Sequence, residues 1–259
     1  MGTRFTDRRL LLPGLLFLTL MPAAYGLGGC RDEAGPQTDL DRFVARYEAL
    51  PPEVREDSLR ARLADPGVAG TYARFQLGNL FYGAAVDSAR ERGWNDPATA
   101  ATLDSAQVHL ETAVARDSSF VEALVNLGSI WDDRANVVSP GQSRQEAMAR
   151  SEQLYLTALR QSPTDVKARC NLGSLYLRQR RTMDAKREFL TALEHDPESA
   201  LAHYNLAIMF AEAKIYREAI REWELAAKYD RDGDIGSRSR DNVEIVKQLR
   251  RQDAPRVQH

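Results

Sequence analysis

A leucine followed by a small residue returns four times along this chain, at Leu77-Gly78, Leu127-Gly128, Leu172-Gly173 and Leu206-Ala207. Three residues after each pair stands an aromatic (Phe81, Trp131, Tyr176, Phe210), and four residues before each leucine stands an alanine (Ala73, Ala123, Ala168, Ala202). A second pattern follows each of the first. Ala185, Phe189, Ala192 and Pro197 are spaced by four, three and five, and Ala219, Trp223 and Ala226 repeat the first three. Ser151, Tyr155, Ala158 and Pro163 match with one serine, and Ala106, Leu110, Ala113 and Ser118 match more loosely. Spacings of three and four put such residues on one face of a helix. Each unit is therefore two helices, and self-similarity of this kind means that each hairpin buries its face against its neighbours.

The two patterns together resemble the tetratricopeptide repeat, a helix-turn-helix unit of about 34 residues. The resemblance runs from about Thr71 to Gly233, and residues 166–199 carry its closest match. It implies an all-α fold: a right-handed superhelical stack of such repeats with a C-terminal capping helix. The expected repeats are 71–120, 121–165, 166–199 and 200–233. Small residues let the first helix (A) and second helix (B) of a repeat approach closely, while the aromatic fills the hole between units. From Leu172 to Leu206 is 34 residues, but Leu127 to Leu172 is 45 and Leu77 to Leu127 is 50. The excess falls between helices A and B of the first two repeats, around Glu91–Pro97 and Asn136–Gln142, so these hairpins are expected to be longer.

Outside the repeats, Thr38 begins a helix that Pro51-Pro52 breaks before a second, and Asp65-Pro66-Gly67 closes this pair over residues 38–67. After Asp234, Val243, Ile245, Val246 and Leu249 recur among Arg, Lys and Gln, which predicts a capping helix over 237–251 with a frayed tail at 252–259.

The first thirty residues read as an address. Arg4, Arg8 and Arg9 precede a leucine-rich body from Leu10 to Met21 interrupted by Pro13 and Gly14, shorter than the ~20 residues of a membrane span, which is the alternative reading. The body is followed by Leu27-Gly28-Gly29-Cys30, which resembles the lipobox of bacterial lipoproteins. That resemblance implies a signal peptide over 1–29, a lipid on Cys30, and a tether over 30–37. It implies export to a membrane-anchored position, and Arg31 after the lipidated cysteine favours an outer membrane facing the periplasm in a diderm bacterium. With Cys30 acylated, Cys170 has no partner for a disulfide and reads as an apolar filler.

Little in the chain points to chemistry. There are 35 basic and 37 acidic residues, a net charge of −2, so no cationic excess draws it to nucleic acid. No Gly-rich phosphate loop, His-Glu-x-x-His, CxxC or Gly-x-Ser-x-Gly elbow occurs. The expectation is a protein without catalysis, cofactor, metal or evident small-molecule substrate. Asp230, Asp232 and Asp234 alternate like the start of a calcium loop, but Ile235 stands where the loop glycine belongs, and the run reads as a solvated helix end.

What remains is a surface. If the Leu-Gly-aromatic stripe of each helix A faces helix B, a second stripe points away. In the family this stripe lines a concave groove. The residues expected there are Tyr72, Phe75, Asn79, Asn126, Ser129, Lys167, Asn171, Arg178, Tyr204 and Asn205. Asn126, Asn171 and Asn205 resemble the family's groove asparagines, which reach a bound peptide's backbone. The resulting expectation is an envelope scaffold holding a peptide segment of a protein partner. The alternative is an assembly factor of a secretion, pilus or cell-wall complex working through its outer faces and long hairpins.

Overall fold

The computed structural model describes residues 39–137 and 143–253, which are helical with short connections and contain no strand. The signal peptide, lipobox, Cys30 and tether, the Pro140-Gly141 turn and the final six residues lie outside the described residues. Among the described residues no helix is long and apolar enough to cross a membrane.

The described residues form two compact units, 39–161 and 162–253. In the first, α1 (Asp39–Glu48) and α2 (Pro52–Arg60) pack on α3 (Val68–Arg92), which pairs with α4 (Pro97–Arg116). A second hairpin of α5 (Val121–Arg134) and α6 (Arg144–Gln161) follows, with α4 and α5 in contact. In the other unit α7 (Val166–Arg178) pairs with α8 (Thr182–His195) and α9 (Ala200–Glu212) with α10 (Tyr216–Tyr229). Helix α11 (Asp234–Asp253) closes that unit against α10 and α9.

Local chemistry sets these boundaries. Asp165 and Ser199 cap α7 and α9 at equivalent positions of successive repeats, accepting from the N–H groups of Ala168 (2.6 Å) and Ala202 (3.3 Å). Asp96 does the same for α4 through Thr99 N–H at 3.0 Å, with Pro97 at the first helical position. Ser143 and Glu146 form a reciprocal capping box at the start of α6. Between α3 and α4 the chain reverses at Gly93, whose φ of 89° lies in the left-handed region that a side chain would strain.

The pairing within hairpins follows the small residues. A Cβ placed on Gly173 would lie 2.4 Å from Cε1 of Phe189, so the α8 ring occupies the space a side chain on α7 would need. Tyr155 and Leu110 hold the corresponding places against Gly128 and Gly78. Trp223, Phe189 and Tyr155 are accordingly among the largest fully buried side chains. Cys170 is buried with Ala192 and Ala202 and packed by Val166, Leu193 and Leu201, and burial pushes its thiol well above the ordinary range.

Two expectations need adjusting. The first hairpin does project further, since α3 and α4 run 25 and 20 residues against 13 and 14 in α7 and α8. In the second hairpin, however, helix A keeps an ordinary 14 residues and the excess goes to the α5–α6 connection and an 18-residue α6. The capping helix begins at Asp234 and runs to Asp253, wider than 237–251, because Asp230 accepts from Gly236 N–H at 2.9 Å and draws the chain into the helix early.

Candidate functional site

The row expected to line a groove lies on α3, α5, α7 and α9, the A helices of the four repeats. Most of it is not open surface. Tyr72, Phe75, Asn79, Asn126, Ser129, Asn171, Tyr204 and Asn205 are buried, and only Lys167 and Arg178 remain partly exposed. The expectation that Asn126 and Asn171 point out of the core is corrected here, as each is 2% exposed.

In the first unit the cause is packing by helices that flank the repeats. Phe43 of α1 meets Tyr72 edge-on at 6.1 Å, and Phe120, just before α5, meets Phe75 at 4.7 Å. Aromatic pairs at these separations are attractive beyond their buried area. Helix α1 therefore covers the aromatic end of the row. Further along, Asn126 Nδ2 donates to Asn79 Oδ1 at 2.7 Å, tying α5 to α3. Tyr155 reaches across from α6 to donate to Ser129 Oγ at 3.2 Å. A fifth contact is the most demanding: Tyr82 OH donates to Asp133 Oδ2 at 2.6 Å in a buried setting. Burial raises the Asp133 carboxyl to about 7, and the Tyr82 hydroxyl opposes that shift by stabilising the charge.

In the second unit α11 plays the covering part. The Arg238 guanidinium lies 5.0 Å over the Tyr204 ring, and burial raises the Tyr204 phenol while Arg238 and Asn242 pull it back. Asn205 is buried beside it, and its Nδ2 has no hydrogen-bond partner among the described residues. At the end of α9, Glu212 is raised by burial and lowered by Arg180. Lys167 at the start of α7 and Arg178 at its end are the row's accessible cations in this unit.

The sequence reading did not anticipate the Tyr82–Asp133 contact or the covering of Tyr72 by α1. The signal available for the first was an acid on the same stripe of α5 as Asn126 and Ser129. For the second it was the aromatic pair Phe43 and Tyr47 on one face of α1. Among the described residues no cluster of His, Cys, Asp and Glu has the geometry to hold a metal ion.

No curated protein matches the chain. Residues 170–235, from within α7 to the start of α11, match the family model described as "Tetratricopeptide repeat". With the helical hairpins, that match supports an all-α stack of tetratricopeptide-like repeats, a kind of repeat that generally mediates protein–protein interaction.

Proposed function

We propose that the chain is a lipid-anchored scaffold of the cell envelope, exported by its N-terminal segment 1–29, held at the membrane through Cys30, and binding an extended segment of a partner protein along its A helices. The observation that carries the binding half is the 170–235 family match, with Lys167 and Arg178 partly exposed at the two ends of α7. A peptide backbone offers carbonyl oxygens for Lys167, and an acidic side chain offers Arg178 a carboxylate. Loss of such bonds costs roughly 1.5 to 3 kcal/mol each where a charge is involved.

Two measurements test this reading. Intact mass of the purified protein is expected to show a chain beginning at residue 30 with an acyl adduct, and a mass retaining residues 1–29 refutes the anchor. Partner recovery from membrane extracts is expected to fall in a Lys167→Ala/Arg178→Ala variant.

A second reading, an assembly factor acting through its outer faces, is favoured by two observations: Tyr72 and Phe75 are already covered, and α3 and α4 extend well beyond an ordinary repeat. Replacing the Gly93–Asp96 turn with a Gly-Ser link distinguishes them. Loss of recovery there, with none in the cation variant, moves the function to the long hairpin.

A further inference from the structure

The third and fourth repeats share one polar contact of which the first keeps only half. Each B helix carries a residue immediately before its gap-filling side chain, and each A helix carries one three places before its repeat leucine. In the third repeat these are Glu188 and Arg169. Arg169 Nη1 donates to Glu188 Oε2 at 2.9 Å, while its Nη2 and Nε donate to the Pro163 carbonyl at 2.6 and 3.1 Å. In the fourth they are Glu222 and His203. The imidazole bridges Glu222 Oε2 (2.7 Å) and the Pro197 carbonyl (3.1 Å), every position displaced by one full repeat from its counterpart in the third. The second repeat removes the polarity altogether with Leu124 and Leu154. Three repeats thus hold two solutions, a nitrogen base against a carboxylate and leucine with leucine.

The first repeat has Arg74 opposite His109. Arg74 keeps the turn-side half of the pattern, donating Nη2 to the Leu63 carbonyl at 3.3 Å, but the carboxylate is absent from the B helix. Arg74 Nε and His109 Nδ1 are buried atoms with no hydrogen-bond partner among the described residues. His109 stacks on Phe81 at 5.6 Å, Arg60, whose Nε donates to Glu56 Oε1 at 2.9 Å, lies 5.7 Å over the same ring, and Arg116 anchors to the Asp65 carbonyl at 2.7 Å. Burial lowers Arg74 with help from Arg116, and burial lowers His109 with help from Arg74 and Arg60. A buried guanidinium N–H left unsatisfied is costly, and the B-helix carboxylate that answers it in the third and fourth repeats is absent here.

We propose that the Arg74–His109 pair is a docking point for a carboxylate brought by a partner protein, an aspartate or glutamate side chain taking the place that Glu188 and Glu222 fill in their own repeats. Arg74 and His109 are partly exposed as residues, and the charges of Arg116 and Arg60 act on them. The docked carboxylate accepts from the Arg74 guanidinium, a charge-assisted bond that is shorter and stronger than a neutral one, with the His109 ring beside it. This site is separate from the Lys167–Arg178 row and does not depend on it.

The other repeats supply the test variants. Arg74→Leu/His109→Leu copies the second repeat, and His109→Glu copies the third. A hexaglutamate peptide is titrated into the full chain while the His109 ring resonances are followed by NMR, with inorganic phosphate as a parallel arm. The peptide is expected to shift His109 in the wild type and to bind roughly tenfold or more weakly to both variants. His109→Glu, supplying its own carboxylate, is expected to raise the melting temperature by roughly 2 to 4 °C. The proposal is overturned if the peptide binds the double-leucine variant as well as the wild type, or if His109→Glu lowers the melting temperature. It is also overturned if phosphate shifts His109 as strongly as the peptide at equal concentration. Lys167→Ala/Arg178→Ala should leave the hexaglutamate response unchanged, so a failure here is distinct from a failure of the groove reading.

Discussion

The α7–α10 hairpins and the α3–α4 hairpin solve one packing problem at two lengths. In the third repeat a phenylalanine ring fills the space left by Gly173 on a 13-residue helix, whereas in the first a leucine fills the space beside Gly78 on a 25-residue helix. The short hairpin concentrates its cohesion in one aromatic contact, and the long one spreads it along extra turns, including the Ser88–Thr99 hydroxyl contact at 2.6 Å near its far end. Repeat length and the size of the gap-filling residue are thus exchangeable means of holding two helices together.

The sharpest way to break this comparison is to empty the gap. Phe189→Ala is expected to cost ~4 kcal/mol in denaturant unfolding and Leu110→Ala ~3 kcal/mol, because the ring leaves the larger cavity and the shorter hairpin has fewer other contacts to relax into. If Leu110→Ala costs more, the exchange of length for ring size is wrong. Next in size is a pH effect confined to the first unit. The Asp133 carboxyl is raised to about 7 from an ordinary value of 3.8, so the folded state holds a proton that the unfolded chain has released. Stability therefore falls as pH rises from about 4 to about 7 and levels off above that, a loss of roughly 2 to 4 kcal/mol. Asp133→Asn should abolish most of that slope and be the more stable form at about pH 8. Urea midpoints across the range measure it, and an unchanged slope in the variant would place the titration elsewhere.

Filling the gap from the other side tests the close approach. Gly173→Leu is expected to destabilise by ~1 to 3 kcal/mol through overpacking against Phe189, even though leucine is the better helix former. Smallest, and of opposite sign, is a relief of backbone strain. Arg180 and Lys214 occupy corresponding turns of the third and fourth repeats with φ of 64° and 60°. Arg180→Gly should raise stability by roughly 0.5 to 1 kcal/mol, readable as a small increase in melting temperature, because glycine adopts that conformation without steric cost.

Which helices exist and which of their faces meet could be read from Leu77, Gly78, Phe81 and their counterparts, because interior packing repeats with the period of the helix. The direction of the other stripe was legible too, but not what lies over it. Tyr72 looks like an open groove aromatic until Phe43, from a helix outside the repeat pattern, is seen against it. Asn126 carries the same difficulty, since an asparagine has equal reason to meet a partner's backbone or the Asn79 side chain. Where the extra residues of the first two repeats would go was likewise open. A turn signal at Gly93 marks a reversal without telling how many helical turns precede it, and continuous good helix formers in Ala84–Arg90 allowed the longer answer.

Within each unit the strongest packing joins helices that are adjacent in sequence: α3 with α4, α5 with α6, α7 with α8, α9 with α10 and α10 with α11. Few contacts close long loops, so the entropic barrier to forming any one hairpin is small and does not wait on the others. Such an array can loosen piecemeal. The hairpin of α9 and α10 is secured on one side by α11 through Val243 and Val246 against Trp223, so fraying of α11 exposes its apolar face to water while α7 and α8 keep theirs. Amide exchange should therefore be faster along α11 than along α8, and the C-terminal end of this chain is where a protease would first find an opening.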